Sequence, residues 1–379
     1  MPITRSDIAQ SFQERFGEPP AMVIRAPGRV NLIGEHTDNN DGFVMPLAID
    51  RAIWIALRPR EDGKVIVHSL DYDQTKEFDL TALKHEDAGW IEYMKGTAWA
   101  LREEGFELRG FEGVMQGDVP LGAGLSSSAA LEVATARALA AVADLPWDPS
   151  KMALLGQKAE NQWIGVNCGI MDQMISACGT ADHAMLLDCR SLERRQAAFP
   201  PGVAVVVLDT GTRRGLVDSA YNERRSQCEA ASAFFGVKAL RDVTSATFAQ
   251  RADELDEVTR RRARHVITED ERTEQAAEAM QSGDAALLGK LMNESHESLR
   301  DDYEVSSEAL NTMVDAAREH EACYGARMTG AGFGGCAVAL IRADAAEDFV
   351  AKTIEAYKST TEAEPAVYVC TATDGATVC

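Results

Sequence analysis

The chain is predicted to fold as an α+β protein of two lobes, and three observations predict it. Strand-like and helix-like segments interleave without a regular βαβ rhythm. Residues 218–320 are mostly charged, alanine-rich and helix-like. A Phe199-Pro200-Pro201-Gly202 run marks a break near residue 200, which divides an N-terminal lobe at 1–200 from a C-terminal lobe at 201–379. At 379 residues the chain is long enough to bury a large core across two such units.

The elements follow in order. Residues 1–17 mix charged and apolar positions like an amphipathic helix and lack the apolar stretch and small-residue cleavage site of a signal peptide. Residues 43–58 form an apolar, β-prone run, and 64–69 alternate like a strand. Residues 90–104 have helical spacing of apolar positions, and 131–142 continue a helix opened by a glycine-rich turn. Residues 204–209, Ala-Val-Val-Val-Leu-Asp, are a short apolar run that reads as a buried strand. Two further strand candidates, 336–341 and 366–370, close the chain.

Composition narrows the partners. Sixty acidic residues against 38 basic ones give a net charge of -22. With no basic stripe or tail, nucleic acid and acidic membrane surfaces are excluded as partners. No run of about 18 apolar residues occurs, so no membrane span is expected. The eight cysteines are scattered, without a Cys-x-x-Cys pair or a zinc-type histidine pattern, and read as reduced and structural. That usage fits a cytoplasmic enzyme.

Three glycine-rich or polar segments carry the chemistry. Residues 120–130, Pro-Leu-Gly-Ala-Gly-Leu-Ser-Ser-Ser-Ala-Ala, run from a glycine turn into a helix. Backbone N–H groups there, with the helix N-terminus behind them, suit an anion. Gly122 and Gly124 permit positive φ or close ligand approach. The three serines can cap the helix, bind phosphate oxygens or hold a metal ion. Residues 25–38 make a turn at Pro27-Gly28, then bring Glu35, His36, Thr37 and Asp38 together. Such a quartet offers donors and acceptors suited to sugar hydroxyls; a plain polar loop is the other reading. Residues 328–335 contain Gly330, Gly332 and Gly335 in Gly-x-Gly-x-x-Gly spacing. The segment after them reads as a strand, not a helix, so a dinucleotide-binding dehydrogenase is set aside. In residues 165–176 a single carboxylate, Asp172, stands among apolar neighbours at a helix start, where it is either a cap or a general base. No Gly-x-x-x-x-Gly-Lys-[Ser/Thr] and no protein-kinase signature is present.

Together these segments resemble the galactokinase family of the GHMP small-molecule kinase superfamily. Residues 25–38 look like its sugar signature, 120–130 its phosphate loop and 327–338 its third motif, while 168–176, 261–273 and 295–306 are also similar. The resemblance implies a two-lobed fold with the active site between the lobes, and transfer of a phosphoryl group from ATP to the C1 hydroxyl of α-D-galactose in the Leloir pathway. Matched position by position, Asp172 is the catalytic base. Arg29 steadies that base as an anion and offsets charge on the phosphoryl group. Glu35, His36, Asp38, Asp172 and Tyr221 match sugar contacts, with Gly332 of the third motif beside them. Gly122, Ala123, Gly124, Leu125, Ser126, Ser127 and Ser128 match the triphosphate cradle. Ser128 and Glu160 match positions for Mg²⁺, and Trp90 and Tyr93 an aromatic pair beside adenine. Phosphoryl transfer asks the protein chiefly to position reactants and stabilise charge, which suits these roles. The expected substrates are galactose and ATP, and the chain is expected to be a monomer.

One departure touches the sugar loop. After Thr37-Asp38 the family usually continues Tyr-Asn-x-Gly, whereas this chain has Asn39 and places Asp41 before Gly42. A kinase for L-arabinose or N-acetylgalactosamine is therefore one alternative. A catalytically silent galactose sensor is another; Ser126-Ser127-Ser128-Ala129 and Asp172 stand intact against it.

Overall fold

The computed structural model of the chain describes residues 2–213 and 217–379. Its strands are β1 (Met22–Asn31), β2 (Phe43–Val44), β3 (Pro46–Arg60), β4 (Lys64–Ser69), β5 (Gln74–Asp79), β6 (Gly110–Gly117), β7 (His183–Asp188), β8 (Arg194–Ala198), β9 (Val203–Asp209), β10 (Cys323–Thr329), β11 (Cys336–Arg342), β12 (Ala366–Cys370) and β13 (Thr377–Val378). They form a six-stranded sheet, β13-β1-β3-β6-β4-β5, a four-stranded sheet, β10-β11-β9-β12, and a three-stranded sheet, β2-β7-β8. Helices and antiparallel strands share both halves, so the α+β expectation holds.

The central strands of the six-stranded sheet are buried on both faces, and side-chain alternation decides what covers each. Ala52, Trp54 and Ala56 of β3 point to one face, where Ile8 and Phe12 of helix α1 (Arg5–Phe16) cover them. Ile53, Ile55 and Leu57 point to the other, against helices α2 (Ile91–Glu103), α3 (Ser127–Val142), α4 (Pro149–Ala159) and α5 (Met171–Cys178). The alanine-rich α3 lies at the centre of that layer, where small side chains let neighbouring backbones approach.

In the second half, helices α6 (Val217–Phe235), α7 (Ser245–Arg251), α8 (Glu257–Ser282), α9 (Ala285–Asp301), α10 (Glu308–Arg318) and α11 (Ala346–Thr360) accompany the four-stranded sheet. Val206 and Leu208 of β9 face one core, with Phe349 of α11 and Met313 of α10, and Val205 and Val207 face a second. Burial on both faces explains the unbroken apolar run of this strand. The second core also contains Val30, Leu32, Ile33, Ala123 and Leu125 from the first half, so it seals the two halves together.

Pro27 and Gly28 do not form the expected turn. Both lie inside β1, where the pairing with β3 shifts register between Pro27 and Arg29. A Cβ on Gly28 would stand 2.8 Å from the Leu125 carbonyl oxygen, so glycine is needed where the strand passes under the 120–126 loop.

Candidate active site

Arg29 and Asp172 form an ion pair at the edge of a cavity. Arg29 leaves the shifted end of β1 and reaches Asp172, in the first turn of α5, with two parallel bonds: Nε to Oδ1 at 2.8 Å and Nη2 to Oδ2 at 2.9 Å. Its remaining nitrogen, Nη1, donates to the Gly124 carbonyl at 2.5 Å. Only a planar guanidinium can serve a carboxylate bidentately and still hold a third partner. Asp172 is not a helix cap, since Ile170 occupies that position. Ser126 holds the N-cap position of α3, in the left-handed region at φ 62°, but its side chain does not cap the helix; its hydroxyl donates to Asp172 Oδ2 instead. Asp172 thus accepts three hydrogen bonds and keeps part of its surface open to a cavity.

That cavity, of about 250 Å³, is lined by Arg29, Glu35, His36, Asp38, Asp172 and Tyr221, together with Glu160, Cys168, Gly330 and Ala331. Glu35 Oε1 accepts from the Gly330 N–H at 2.7 Å, and Oε2 from Asn31 Nδ2 and Arg327 Nη1, both at 2.9 Å. Burial raises its pKa, against the opposing pull of Arg327 and Arg29. Beneath it, Glu269 of α8 accepts from the backbone N–H of Gly34 at 3.0 Å and from the Ser295 hydroxyl at 2.6 Å. Burial of Glu269 is outweighed by Arg272, His265 and Arg327, which hold its pKa at about 2. The loop after β1 is therefore fixed from below by buried charge.

His36 is buried at φ 63°, with its ring 4.8 Å from Tyr303 and 5.6 Å from Tyr221. Burial, then the positive neighbours, lowers its pKa to about 3, so the ring is neutral. Its Nε2 is buried and has no partner among the described residues, an open valence on the cavity wall. Burial and the nearby Asp172 raise the Asp38 pKa to about 7. Gly169 is essential beside it, because a Cβ there would overlap the Asp38 carboxylate at 1.8 Å.

The two glycine loops pack backbone to backbone. A Cβ on Gly330 would lie 2.9 Å from the Gly124 carbonyl oxygen, and one on Gly335 2.8 Å from that of Ala123. Between them is a cleft lined by Leu121, Gly122, Gly124, Thr329, Gly332, Gly334 and Arg213. Gly332 lies here and not on the wall of the Asp172 cavity, which Gly330 and Ala331 supply. Arg213, which no sequence motif pointed to, pairs with Asp209 at 2.7 Å and donates to the Leu121 carbonyl at 3.3 Å. It brings a cation to the phosphate-type loop of an otherwise acidic molecule.

A second pocket, of about 580 Å³, opens on the other side of that loop. Trp90, Tyr93, Tyr72 and Ile53 line it with Ser127 and Ser128, so the aromatic pair and the serines share one space. Trp90 and Tyr72 stack within 5° of parallel, and Trp90 Nε1 is buried without a partner among the described residues. Ala123 and Leu125 turn their side chains into the core and offer only backbone.

Ser128 lines the aromatic pocket and Glu160 the Asp172 cavity, and the Ser128 hydroxyl is among the groups that favour the ionised Glu160 carboxylate. Burial and the nearby Asp172 raise the Glu160 pKa, a strain that a dication would relieve. No cluster of three or more His, Cys, Asp or Glu able to hold a metal exists among the described residues. One carboxylate and one hydroxyl fit Mg²⁺, which is commonly held by one or two protein oxygens plus substrate phosphates.

The sequence-derived residues therefore gather at two adjoining spaces and the glycine cleft between them. Arg213, Arg327 and Glu269 were missed as site residues: no motif marks Arg213, and Arg327 and Glu269 reach Glu35 and Gly34 only across long stretches of sequence. Comparison with known proteins identifies the family. Residues 10–59 match a model described as the galactokinase galactose-binding signature, 92–180 the GHMP kinases N terminal domain, and 276–359 the GHMP kinases C terminal. A galactokinase from Roseiflexus sp. (strain RS-1) is 47% identical over 374 residues, covering 97% of this chain and 96% of its own. The crystal structure of Lactococcus lactis galactokinase complexed with galactose is similar with a TM-score of 0.94 at 36% identity, covering 98% of this chain and 99% of that one. A Methanococcus jannaschii mevalonate kinase, 19% identical, shares the fold at a TM-score of 0.68 over 93% of this chain and 98% of its own.

Proposed function

The chain belongs to the galactokinase family of the GHMP kinases, and from that premise we infer how its own residues carry the reaction. It catalyses the ATP-dependent phosphorylation of α-D-galactose at the C1 hydroxyl, giving galactose 1-phosphate and ADP.

The observation that carries the residue assignment is the bidentate Arg29–Asp172 pair, which stands where the sugar cavity meets the phosphate loop. Asp172 takes the proton from the C1 hydroxyl, whose oxygen forms the bond to the γ-phosphorus as the bond to the ADP oxygen breaks. Arg29 orients the carboxylate and places positive charge beside the transferring group. Glu35, His36, Asp38 and Tyr221 bind the sugar: the Glu35 and Asp38 carboxylates accept from hydroxyls, and His36 Nε2 and the Tyr221 hydroxyl complete the set. The N–H groups of the 122–128 loop receive the triphosphate with Arg213 facing them, and Trp90 and Tyr93 flank the base. Ser128 and Glu160 would hold Mg²⁺, which supplies neutralisation of phosphate charge when bound.

We place the enzyme in the cytoplasm as a monomer. Its eight cysteines are all unpaired, which supports the first placement. A kinase assay with galactose, L-arabinose and N-acetylgalactosamine tests the substrate. Galactose is expected to give the highest kcat/KM, and faster turnover of either competitor would overturn the reading.

A further inference from the structure

The short helical turn Asp38–Asn40 carries two adjacent asparagines whose amides form a chain of hydrogen bonds with a single direction. Asn40 Nδ2 donates to the His36 carbonyl at 3.2 Å. A carbonyl only accepts, so this end of the Asn40 amide is its NH₂ group. The same NH₂ donates to Asn39 Oδ1 at 2.6 Å. With its oxygen engaged, Asn39 presents Nδ2 to the Tyr221 hydroxyl at 3.1 Å. A phenol has one proton and an accepting oxygen. Because Asn39 donates to that oxygen, the proton is left to point elsewhere. No hydrogen bond from it is made to any described residue, and Tyr221 lines the sugar cavity.

We propose that Asn40 and Asn39 make Tyr221 an obligate hydrogen-bond donor to the sugar, so that Asn39 is a positioning residue for specificity. The proposal rests on the galactose reading above. The direction is set by the backbone carbonyl of His36, three hydrogen bonds before Tyr221, and cannot reverse while that carbonyl is its terminus. Whatever sugar atom faces Tyr221 must then accept: a hydroxyl or ring oxygen satisfies it, and a deoxy carbon or an ammonium group does not. Asn39 stands where the resembled family usually carries tyrosine, so the relay belongs to this chain's own variation. Nothing in it touches Asp172 or the phosphate loop, so its effect falls on sugar affinity.

Galactose binding to the full chain without ATP, measured by calorimetry beside steady-state kinetics, tests the proposal. If the wild-type chain binds no galactose, the substrate reading itself fails, independently of the relay. Given binding, Tyr221→Phe is expected to weaken it about tenfold, the cost of one unmade hydrogen bond in a buried site. Asn39→Ala should raise Kd and KM by roughly three- to fivefold with kcat within about twofold. Asn39→Asp, whose carboxylate can only accept, captures the Tyr221 proton and should weaken binding more than Asn39→Ala. In a Tyr221→Phe background both Asn39 changes should have no further effect. An Asn39→Ala loss of equal size with and without Tyr221 would overturn the relay. So would an Asn39→Asp loss that persists in Tyr221→Phe, because it would then be the new charge acting on Asp38. Should Asn39→Asp fail to fold, the Asn39→Ala pair decides alone.

Discussion

Asp172 has three hydrogen bonds and one open side, so its exchange for asparagine removes the base while keeping nearly the same shape. Asp172→Asn is expected to lower kcat by about 10²–10⁴-fold, the usual contribution of a positioned base. Galactose affinity by calorimetry should change only severalfold, and near-wild-type turnover would refute the role. Arg29→Ala should lower kcat as well, since both the base and Gly124 lose their anchor. A rise confined to the KM for galactose would contradict that assignment. At this scale the sequence was informative, because Glu35 to Asp38 are contiguous and Asp172 sits in a short motif. Arg327 and Glu269 were not legible as partners. Their meaning depends on Glu35, which only folding brings near them.

At the scale of elements, β9 and β11 were readable because burial on both faces makes their sequences continuously apolar. β1 was not readable. Arg25, Pro27, Gly28, Arg29 and Asn31 break its apolar pattern, and they are tolerated because each polar group meets a partner or a close backbone. Gly330→Ala introduces a Cβ 2.9 Å from the Gly124 oxygen at a φ of +83°. It should cost about 1–3 kcal/mol and raise the KM for ATP more than that for galactose. Equal changes in both would mean that the two glycine loops do not move together. Asp270 of α8 has its pKa raised to about 8, chiefly by burial, although the Phe43 N–H donates to it at 2.8 Å. In the unfolded chain it ionises near 4, so the folded state holds the extra proton. Its stability contribution is complete below about pH 4 and is lost as the pH rises through about 8. Asp270→Asn should therefore gain about 3 kcal/mol relative to wild type between pH 6 and 9, measured by thermal unfolding. An unchanged difference across that range would show that Asp270 is ionised when folded.

For the molecule as a whole, the join between halves is part apolar core and part buried charge. Arg327, on β10, lies wholly inside with Glu35 at 2.9 Å, Glu269 at 4.0 Å and the Asn31 carbonyl at 3.1 Å. Arg327→Met would strand two buried carboxylates and is expected to cost about 3–5 kcal/mol in denaturant unfolding. A loss below about 1 kcal/mol would mean that the apolar interface carries the join alone. The two-lobed α+β class was legible from the rhythm of the sequence. The pairing of β13 with β1 was not, since two residues, Thr377 and Val378, carry no period of their own.

The register shift in β1 also bears on how such a chain can be re-engineered. Arg29 faces Asp172, while Val30 turns into the core that seals the halves. Inserting or deleting one residue between positions 25 and 29 would exchange those two directions, sending a guanidinium into oil and a valine to the base. A library built for new sugar acceptors should therefore vary Asn39 and Asp41, keep the buried Thr37, Asn40 and Gly42, and leave the length of 22–31 untouched. The strand behaves as a ruler, and those two positions after it are the part that can be rewritten.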